Sequence, residues 1–285
     1  RQMNRIEILK KTKLFVLDMD GTFYLGEHVL DGALDFISSV KKAGKDFIFF
    51  TNNSSKSPEL YIEKLAKMGC IISREKIMTS ADVTITYLKK YHKNAKIYLV
   101  GTDSLIKMFE AEKICLDDKK PDIVVVGFDT TLTYIKLEKA CSFIRNGAIF
   151  YATHPDINCP VENGFIPDVG SFCAAISLST GVTPKIFGKP HVETLESILD
   201  NYKSKKEEIA FVGDRLYTDV AEGVENGSRG ILVLTGETKK EDILSSDIQP
   251  DAVFDSLGEM GALLTQIADL EGVEKCHKFC SIIKT

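Results

Sequence analysis

Short runs of β-branched and aromatic residues alternate along the chain with segments whose apolar residues recur at helical spacing. Such runs are typical of buried strands, and a three-to-four-residue period is typical of amphipathic helices. The runs predict strands at 13–18, 46–50, 97–100, 123–126, 148–152, 185–187, 209–212, 231–234 and 252–254. The helical spacing predicts helices at 33–44, 57–69, 103–113, 133–146, 171–180, 191–203 and 216–226. This alternation predicts an α/β fold of parallel sheets covered by helices on both faces.

Length and composition narrow the class of protein. The 285 residues exceed one domain of about 150 residues, so two domains are expected. Hydrophobic residues make up 44% and charged residues 27%, which is ordinary for a soluble globular protein. The net charge is -5 and no long Lys/Arg run occurs, which argues against a nucleic-acid binder. No apolar stretch approaches the roughly 20 residues of a membrane span, and no signal segment opens the chain, so a cytoplasmic protein is expected.

The cysteines do not predict a disulfide framework. A chain of this size does not need one, and an odd number of cysteines favours free thiols in a reducing cytosol. The seven cysteines are Cys70, Cys115, Cys141, Cys159, Cys173, Cys276 and Cys280.

The most specific motif is Asp18-Met19-Asp20-Gly21-Thr22, which directly follows an apolar strand. A turn after the strand explains Gly21, but it does not explain two carboxylates flanking one residue. In an extended segment the side chains of Asp18 and Asp20 point to the same side, so both can face one reacting group. One carboxylate can attack phosphorus, and its neighbour can protonate the departing oxygen and later deprotonate water. Because two anions repel a phosphate, a hard cation and N–H donors are expected nearby.

Three further segments that follow predicted strands can supply those groups. Thr51 and Asn52, in Thr51-Asn52-Asn53-Ser54-Ser55, offer hydroxyl and amide donors. Lys189, in Gly188-Lys189-Pro190, is expected on a turn that exposes its ammonium. Asp214 and Asp219 add oxygen ligands for magnesium. Taken alone, each segment also fits a turn, a helix cap or a solvated charge; their combination beside Asp18 favours a phosphate-handling site.

The distribution of these motifs predicts the domain organisation. They lie in the first fifth and the last third of the chain, whereas the middle has its own strands and helices without such motifs. No Pro-, Gly- or Ser-rich linker marks a boundary. We therefore predict a catalytic core formed by 1–80 and 183–285, with a second α/β domain inserted at 81–182.

In order and content the four segments resemble the motifs of haloacid-dehalogenase-superfamily phosphatases, most closely the NagD-like (p-nitrophenylphosphatase-like) branch. The resemblance covers nearly the whole chain, including Ala152-Thr153-His154-Pro155-Asp156 in the middle region. It implies a Rossmann-like doubly wound core with an inserted α/β cap. It also implies a magnesium-dependent phosphatase that forms an aspartyl-phosphate.

Residue roles follow from the same resemblance. Asp18 would be the nucleophile and Asp20 the general acid/base, while Thr51, Asn52 and Lys189 would bind the phosphoryl group. Magnesium would be bound by the carboxylates of Asp18 and Asp214 and by the backbone carbonyl of Asp20, with Asp219 supporting it through a water molecule or by contacting one of these ligands.

Some positions depart from the family pattern or stay without a role. Phe23 replaces the usual Leu or Ile, and Asp168 in Pro167-Asp168-Val169-Gly170 replaces a common Gly, which places an extra carboxylate where the leaving group of the substrate could lie. His191 is interpreted as a helix-start residue. The segment 276–280, with Cys276 and Cys280, lacks the four ligands of a structural zinc site and is interpreted as the C-terminal helix.

The predicted function is hydrolysis of a small phosphorylated metabolite, such as a sugar phosphate, a nucleoside monophosphate, phosphoglycolate or pyridoxal phosphate. A phosphotransferase or phosphomutase would share the nucleophile and its acid partner, and transfer to an added alcohol would reveal it. A non-catalytic phospho-ligand sensor would be expected to lack a motif residue, and Asp18, Asp20, Lys189 and Asp214 are all present. The physiological substrate and the oligomeric state stay open, although caps in such folds can self-associate.

Overall fold

The computed structural model describes residues 4–282, with side chains described as far as residue 272. The chain forms two compact units. The first comprises the residues up to 49, 68–70 and those from 202 onward; the second comprises 50–67 and 71–201. The two units divide the chain after residues 49 and 201, whereas the sequence predicts boundaries after residues 80 and 182. The inserted domain at 81–182 stays a prediction.

The strands of the described chain are short, and most of them are buried. In chain order they are β1 Leu14–Leu17, β2 Tyr24–Leu25, β3 His28–Val29, β4 Asp46–Thr51, β5 Ile77–Thr79, β6 Lys96–Val100, β7 Cys115–Leu116, β8 Ile123–Val126, β9 Ile149–Ala152, β10 Asn158–Val161, β11 Gly164–Pro167, β12 Lys185–Ile186, β13 Ile209–Gly213, β14 Arg229–Val233 and β15 Ala252–Phe254.

The α-helices of the same part of the chain alternate with these strands. They are α1 Arg5–Lys11, α2 Ala33–Lys42, α3 Pro58–Lys67, α4 Ser80–Tyr91, α5 Asp103–Ala111, α6 Tyr134–Arg145, α7 Val169–Thr180, α8 Glu193–Asn201, α9 Ala221–Asn226, α10 Asp242–Ser245 and α11 Leu257–Ile282. No helix within residues 4–282 is long and apolar enough to cross a bilayer.

A parallel sheet forms the centre of the first unit, in the order β15-β14-β13-β1-β4. All four residues of β1 and all five of β13 are buried, as expected for parallel strands covered on both faces. Helices α2 and α11 pack against each other beside this sheet. The central position of β1 places the segment that follows it between its neighbours β13 and β4.

The second unit has a parallel sheet of its own, in the order β12-β9-β8-β6-β7. Its core joins apolar residues of β6, β8 and β9 to α6 and α7. An antiparallel hairpin, β10–β11, adjoins α7. The second unit is therefore also an α/β structure.

The predicted α/β fold with parallel sheets is confirmed, and each of the nine predicted strands is present. Helix α2 ends at Lys42, and Gly44 follows in the left-handed region at φ 69°, as its position in the sequence predicts. The segment 216–226 differs from expectation because it opens with a π-helical turn, Leu216–Val220, before α9. The helical spacing does not predict α4, although Thr79 and Asp82 form the capping box that marks its start.

Candidate active site

Asp18 lies directly beyond the carboxyl end of β1. Its backbone N–H donates to the carbonyl of Val212 in β13 at 2.9 Å, which continues the strand pairing by one residue. The chain then turns tightly, and the N–H groups of the three residues 22–24 all donate to the carbonyl of Met19. Gly21 adopts φ 81°, which a residue with a side chain rarely does. Asp20, on this turn, is exposed to solvent.

The parallel register of β1 and β13 brings a second carboxylate to the same edge. Leu17 lies opposite Val212, so Asp214 emerges beside Asp18. The π-helical turn then returns Asp219 toward the strand end, since the N–H of Val220 donates to the carbonyl of Arg215 at 3.2 Å. The N–H of Arg215 also donates to Asp219 Oδ2 at 3.3 Å. π-Helical turns are frequent at functional sites, and here the turn positions an acidic side chain.

Carboxylate oxygens of Asp18, Asp214 and Asp219 all lie within 4.8 Å of one another. Asp214 is 3% exposed and Asp219 is 2% exposed. Asp214 Oδ1 is buried without a hydrogen-bond partner in the described part of the chain. A buried acceptor left without a donor is costly, and a hard cation with oxygen ligands would satisfy it. The three residues therefore fit a divalent metal ion.

The clustering of acids also changes how Asp214 binds protons. Burial, and after it the negative charges of Asp18 and Asp219, raises the pKa of Asp214 to about 7. The N–H of Glu237 and the guanidinium of Arg215 act in the opposite direction. Metal ligands must be deprotonated, so a cation and a proton compete for this carboxylate near neutral pH.

A loop that sequence reasoning missed, residues 235–238 after β14, holds Asp214 in place. The N–H of Glu237 donates to Asp214 Oδ2 at 2.7 Å, and the N–H of Thr238 donates to the Asp214 carbonyl at 3.2 Å. A Cβ at Gly236 would lie 2.0 Å from Asp214 Oδ2, so only glycine allows this approach. The signal that could have revealed the loop is the polar run that follows the predicted strand at 231–234.

The side chains of Arg215 and Tyr217, in and beside the π-helical turn, both contact Glu237 of this loop. Glu237 Oε2 lies 2.9 Å from Arg215 Nε, and the hydroxyl of Tyr217 donates to Glu237 Oε1 at 2.7 Å. Thr235 also donates to the carbonyl of Gly21 at 2.7 Å, which ties the loop to the Asp18 turn. The side chain of Asp214 is therefore fixed from several sides, with one oxygen left for a ligand.

The predicted phosphate-binding residues belong to the second unit, where Asn52 and Lys189 contact each other directly. The N–H of Lys189 donates to Asn52 Oδ1 at 2.8 Å, and Asn52 Nδ2 donates to the Lys189 carbonyl at 3.0 Å. Asn52 Nδ2 also reaches Asp156 Oδ1 at 3.1 Å. Thr51 Oγ1 accepts from the N–H of Asn53 at 3.1 Å. The amide of Asn52 thus orients the backbone of Lys189.

The expectation that Lys189 sits on an exposing turn is wrong. Its side chain is buried, with the residue 3% exposed. Its Nζ donates to the Phe50 carbonyl at 3.4 Å and lies 5.3 Å from the centre of the Phe50 ring. A buried ammonium is costly unless it meets acceptors or anions, so Lys189 is not a solvated surface charge.

The remaining singled-out residues have structural surroundings of their own. Asp168 is buried, pairs with His154, and caps α7 by accepting from the N–H of Val169 at 2.6 Å. The backbone carbonyl of His191 accepts from the N–H of Thr194 at 3.0 Å, as expected at a helix start. The five cysteines with described side chains have free thiols. The side chains of Cys276 and Cys280 lie outside the described residues.

Comparison with known proteins identifies similar families. A model described as haloacid dehalogenase-like hydrolase matches residues 15–115, and one described as HAD-hydrolase-like matches residues 186–260. The acid sugar phosphatase of Staphylococcus aureus strain MRSA252 is 36% identical over 264 residues, which cover 92% of this chain and 100% of that protein.

Solved structures show the same relationship. The 4-nitrophenylphosphatase of Thermotoga maritima is 46% identical, with a TM-score of 0.87 over 90% of this chain and 98% of its own. NagD of E. coli K-12 is 30% identical, with a TM-score of 0.81 over 87% of this chain and 98% of its own. Both similarities extend over nearly all of each chain.

Proposed function

Because the chain belongs to the haloacid dehalogenase superfamily, in its NagD-like branch, and is a phosphoric monoester hydrolase of that type, we propose that it hydrolyses small sugar phosphates with magnesium. The observation that carries this proposal is the cluster of Asp18 with the buried carboxylates of Asp214 and Asp219 beyond the end of β1. The unpartnered Oδ1 of Asp214 within it supports a bound cation.

Asp18 performs the first half of the reaction as the nucleophile. One of its carboxylate oxygens forms a bond to phosphorus while the bond from phosphorus to the leaving alcohol oxygen breaks. Asp20 gives its proton to that oxygen, so the sugar leaves as a neutral alcohol. The exposure of Asp20 supports this role, because its carboxyl group must reach a substrate.

The second half returns the enzyme to its starting state. Asp20, now a carboxylate, takes a proton from water, and the water oxygen attacks the phosphorus of the aspartyl-phosphate. The bond between phosphorus and Asp18 breaks, releasing inorganic phosphate and the free Asp18 carboxylate. The same two residues therefore serve both half-reactions, with opposite proton transfers.

The cation would be held by the carboxylates of Asp18 and Asp214 and by the backbone carbonyl of Asp20, with Asp219 supporting it from the π-helical turn. When bound, magnesium supplies positive charge that neutralises the phosphoryl oxygens. Thr51, Asn52 and Lys189 bind the phosphoryl group, with the Lys189 ammonium offsetting its negative charge. The burial of Lys189 supports a role with an anion rather than with water.

The proposed substrate class is supported by the relative named acid sugar phosphatase, which aligns over its full length. We therefore place sugar phosphates first, before nucleoside monophosphates, phosphoglycolate and pyridoxal phosphate. The discriminating experiment incubates the purified protein and magnesium with a panel of these esters, with and without glycerol, and measures released phosphate. Sugar phosphates should give the highest kcat/KM, with phosphate passing to water. No phosphate release from any ester would overturn the proposal, and transfer to glycerol would indicate a phosphotransferase.

A further inference from the structure

A buried histidine–aspartate pair lies in the second unit, and no role in the reaction proposed above uses it. His154 is fully buried and Asp168 is 2% exposed. His154 Nε2 lies 2.8 Å from Asp168 Oδ1. Asp168 also accepts from the N–H of Val169 at the start of α7, so it is anchored on one helix. Buried ionisable groups are expected to be paired, and this pair satisfies that condition.

The other ring nitrogen of His154 faces two hydroxyl groups. His154 Nδ1 lies 2.9 Å from Thr153 Oγ1 and 3.2 Å from Ser80 Oγ. Ser80, at the start of α4, donates to the backbone carbonyl of Asn52 at 2.5 Å. Thr153 Oγ1 lies 3.0 Å from the Ser54 hydroxyl. Both contacts of Nδ1 therefore lead to the segment 51–54.

The turn that carries Lys189 packs against the same group of residues. A Cβ at Gly188 would lie 2.8 Å from Asn52 Oδ1 and 2.9 Å from His154 Cβ. Asn52 in turn bonds both backbone groups of Lys189. The Cβ of His154 thus lies beside the turn before Lys189, and the imidazole connects through two hydroxyls with the segment that contains Thr51 and Asn52.

The geometry points to His154, anchored by Asp168, as a positioning residue that fixes the segment 51–54 and the Lys189 turn for phosphate binding. This inference rests on the proposed function, which gives Thr51, Asn52 and Lys189 the phosphoryl group. Side chains that bind an anion must be held in place before it arrives, and hydrogen bonds to supporting residues provide that order. His154 touches no reacting atom in this account and acts through Ser80 and Thr153.

The group of His154, Asp156 and Asp168 also has the residue types of a metal site. Its contacts favour a hydrogen-bonding role instead. Both ring nitrogens of His154 are within hydrogen-bonding distance of protein oxygens, and Asp156 accepts from Asn52. The carboxylate of Asp168 is hydrogen-bonded to His154 and to the N–H of Val169 at the start of α7.

Two substitutions of His154 test the contacts of its two ring nitrogens separately. His154→Gln keeps an amide near the Nε2 position, facing Asp168, and loses the contacts to Ser80 and Thr153. His154→Asn keeps an amide near the Nδ1 position and so retains a partner for those hydroxyls. Ser80→Ala removes the hydrogen bond to the Asn52 carbonyl while leaving the His154–Asp168 pair intact.

The readouts are the inhibition constant of inorganic phosphate and the separate values of KM and kcat for the best sugar phosphate. Loss of one buried hydrogen bond should weaken phosphate binding about fivefold. His154→Gln and Ser80→Ala should therefore raise the inhibition constant and KM about fivefold with kcat nearly unchanged, because binding is lost equally in ground and transition states. His154→Asn should raise both constants less than His154→Gln does, because it keeps a partner for the two hydroxyls and loses only the anchor to Asp168.

A matched control is Asp129→Asn, which disrupts an ion pair of the same unit between the buried Asp129 and the partly exposed Lys136. Asp129 Oδ2 lies 2.8 Å from Lys136 Nζ, and Asp129 Oδ1 accepts from Thr131. The N–H of the neighbouring Phe128 donates to Ser54 Oγ at 2.9 Å, and the substitution leaves that backbone donor in place. This variant should lower the melting temperature without changing the phosphate inhibition constant.

The inference is overturned if folded His154→Gln and Ser80→Ala keep the wild-type inhibition constant, or if Asp129→Asn raises it as much as they do. Failure of the proposed function has a different signature. In that case the wild-type protein itself releases no phosphate, before any variant is compared.

Discussion

Asp214 accepts hydrogen bonds from a distant loop, borders two other carboxylates, and keeps one oxygen without a partner in the described chain. These features have one physical explanation, which is a carboxylate held in place to bind a cation. The sequence indicates Asp214 by its position after a strand. It does not indicate Gly236 and Glu237, because contacts between residues more than 20 positions apart leave no local pattern.

Gly236→Ala should weaken magnesium binding at least about tenfold, because the new methyl group would displace the Asp214 carboxylate. The added Cβ would lie 2.0 Å from Asp214 Oδ2 and 2.5 Å from its Cγ. Isothermal titration calorimetry with magnesium alone measures this affinity. Gly272→Ala is the control, since a Cβ there meets no described atom within 4 Å. Wild-type affinity in Gly236→Ala would contradict the arrangement of this loop.

The raised pKa of Asp214 predicts how metal-free stability depends on pH. With a folded pKa of about 7 and an ordinary value of 3.8, the folded state keeps a proton that the unfolded state has lost. The contribution of Asp214 to the free energy of unfolding is therefore full below pH 4 and is lost as the pH rises toward 7. Urea denaturation in EDTA between pH 4 and 8 should show this decline in the wild type and a smaller one in Asp214→Asn. Equal pH dependence of the free energy of unfolding in the two proteins would show that the pKa of Asp214 is not raised.

Lys189 and Asp168 show where reading single residues fails. A lysine beside a glycine predicts a solvated charge, but the side chain of Lys189 is buried. This burial and the contact with Asn52 depend on chain segments more than 100 residues away in sequence. Asp168 looked like an extra carboxylate for a substrate, and its partners His154 and Val169 account for it within the fold. In both cases the environment is set by tertiary packing.

At the level of helices and strands, predictions from the sequence are most accurate where local interactions determine the structure. Runs such as 123–126 are buried on both faces of a parallel sheet, so their apolar pattern is continuous and easily read. The hairpin β10–β11 has largely exposed residues and no apolar alternation, which explains why it was missed. Helix α7 begins two residues earlier than expected, because Asp168 caps it.

The capping box of α4 gives a prediction at this scale. Thr79 accepts from the N–H of Asp82, and the Asp82 carboxylate accepts from the N–H of Thr79 at 2.8 Å. Thr79→Ala should lower the free energy of unfolding by about 1 kcal/mol, the usual contribution of an N-cap. Thr133→Ala, which removes the cap of α6 without a reciprocal partner, should cost less. Urea denaturation compares the two, and an equal or larger loss in Thr133→Ala would contradict the account.

At the level of the whole molecule, two α/β units carry different parts of the proposed chemistry. The first holds the carboxylates of Asp18, Asp214 and Asp219, and the second holds Thr51, Asn52 and Lys189. The motif order along the chain predicts these residues, and their roles stay predictions. The boundaries between the two units were harder to predict, because no change in composition marks them.

Removing metal tests the account at this scale. EDTA should abolish phosphate release, and added magnesium should restore it, because three clustered carboxylates cannot bind an anionic substrate unneutralised. Magnesium should also raise the melting temperature, since a ligand that binds only the folded state stabilises it. Full activity after thorough chelation, or a melting temperature insensitive to magnesium, would count against the metal site.

The central claim is that Asp18 forms a bond to phosphorus, and the activity of Asp18→Asn tests it most directly. The substitution keeps the size of the side chain and removes the nucleophilic carboxylate. With p-nitrophenyl phosphate and saturating magnesium, we expect turnover at least about a thousandfold below the wild type, as for loss of a catalytic nucleophile. The circular dichroism spectrum should stay unchanged. Turnover at the wild-type rate in this folded variant would contradict the account.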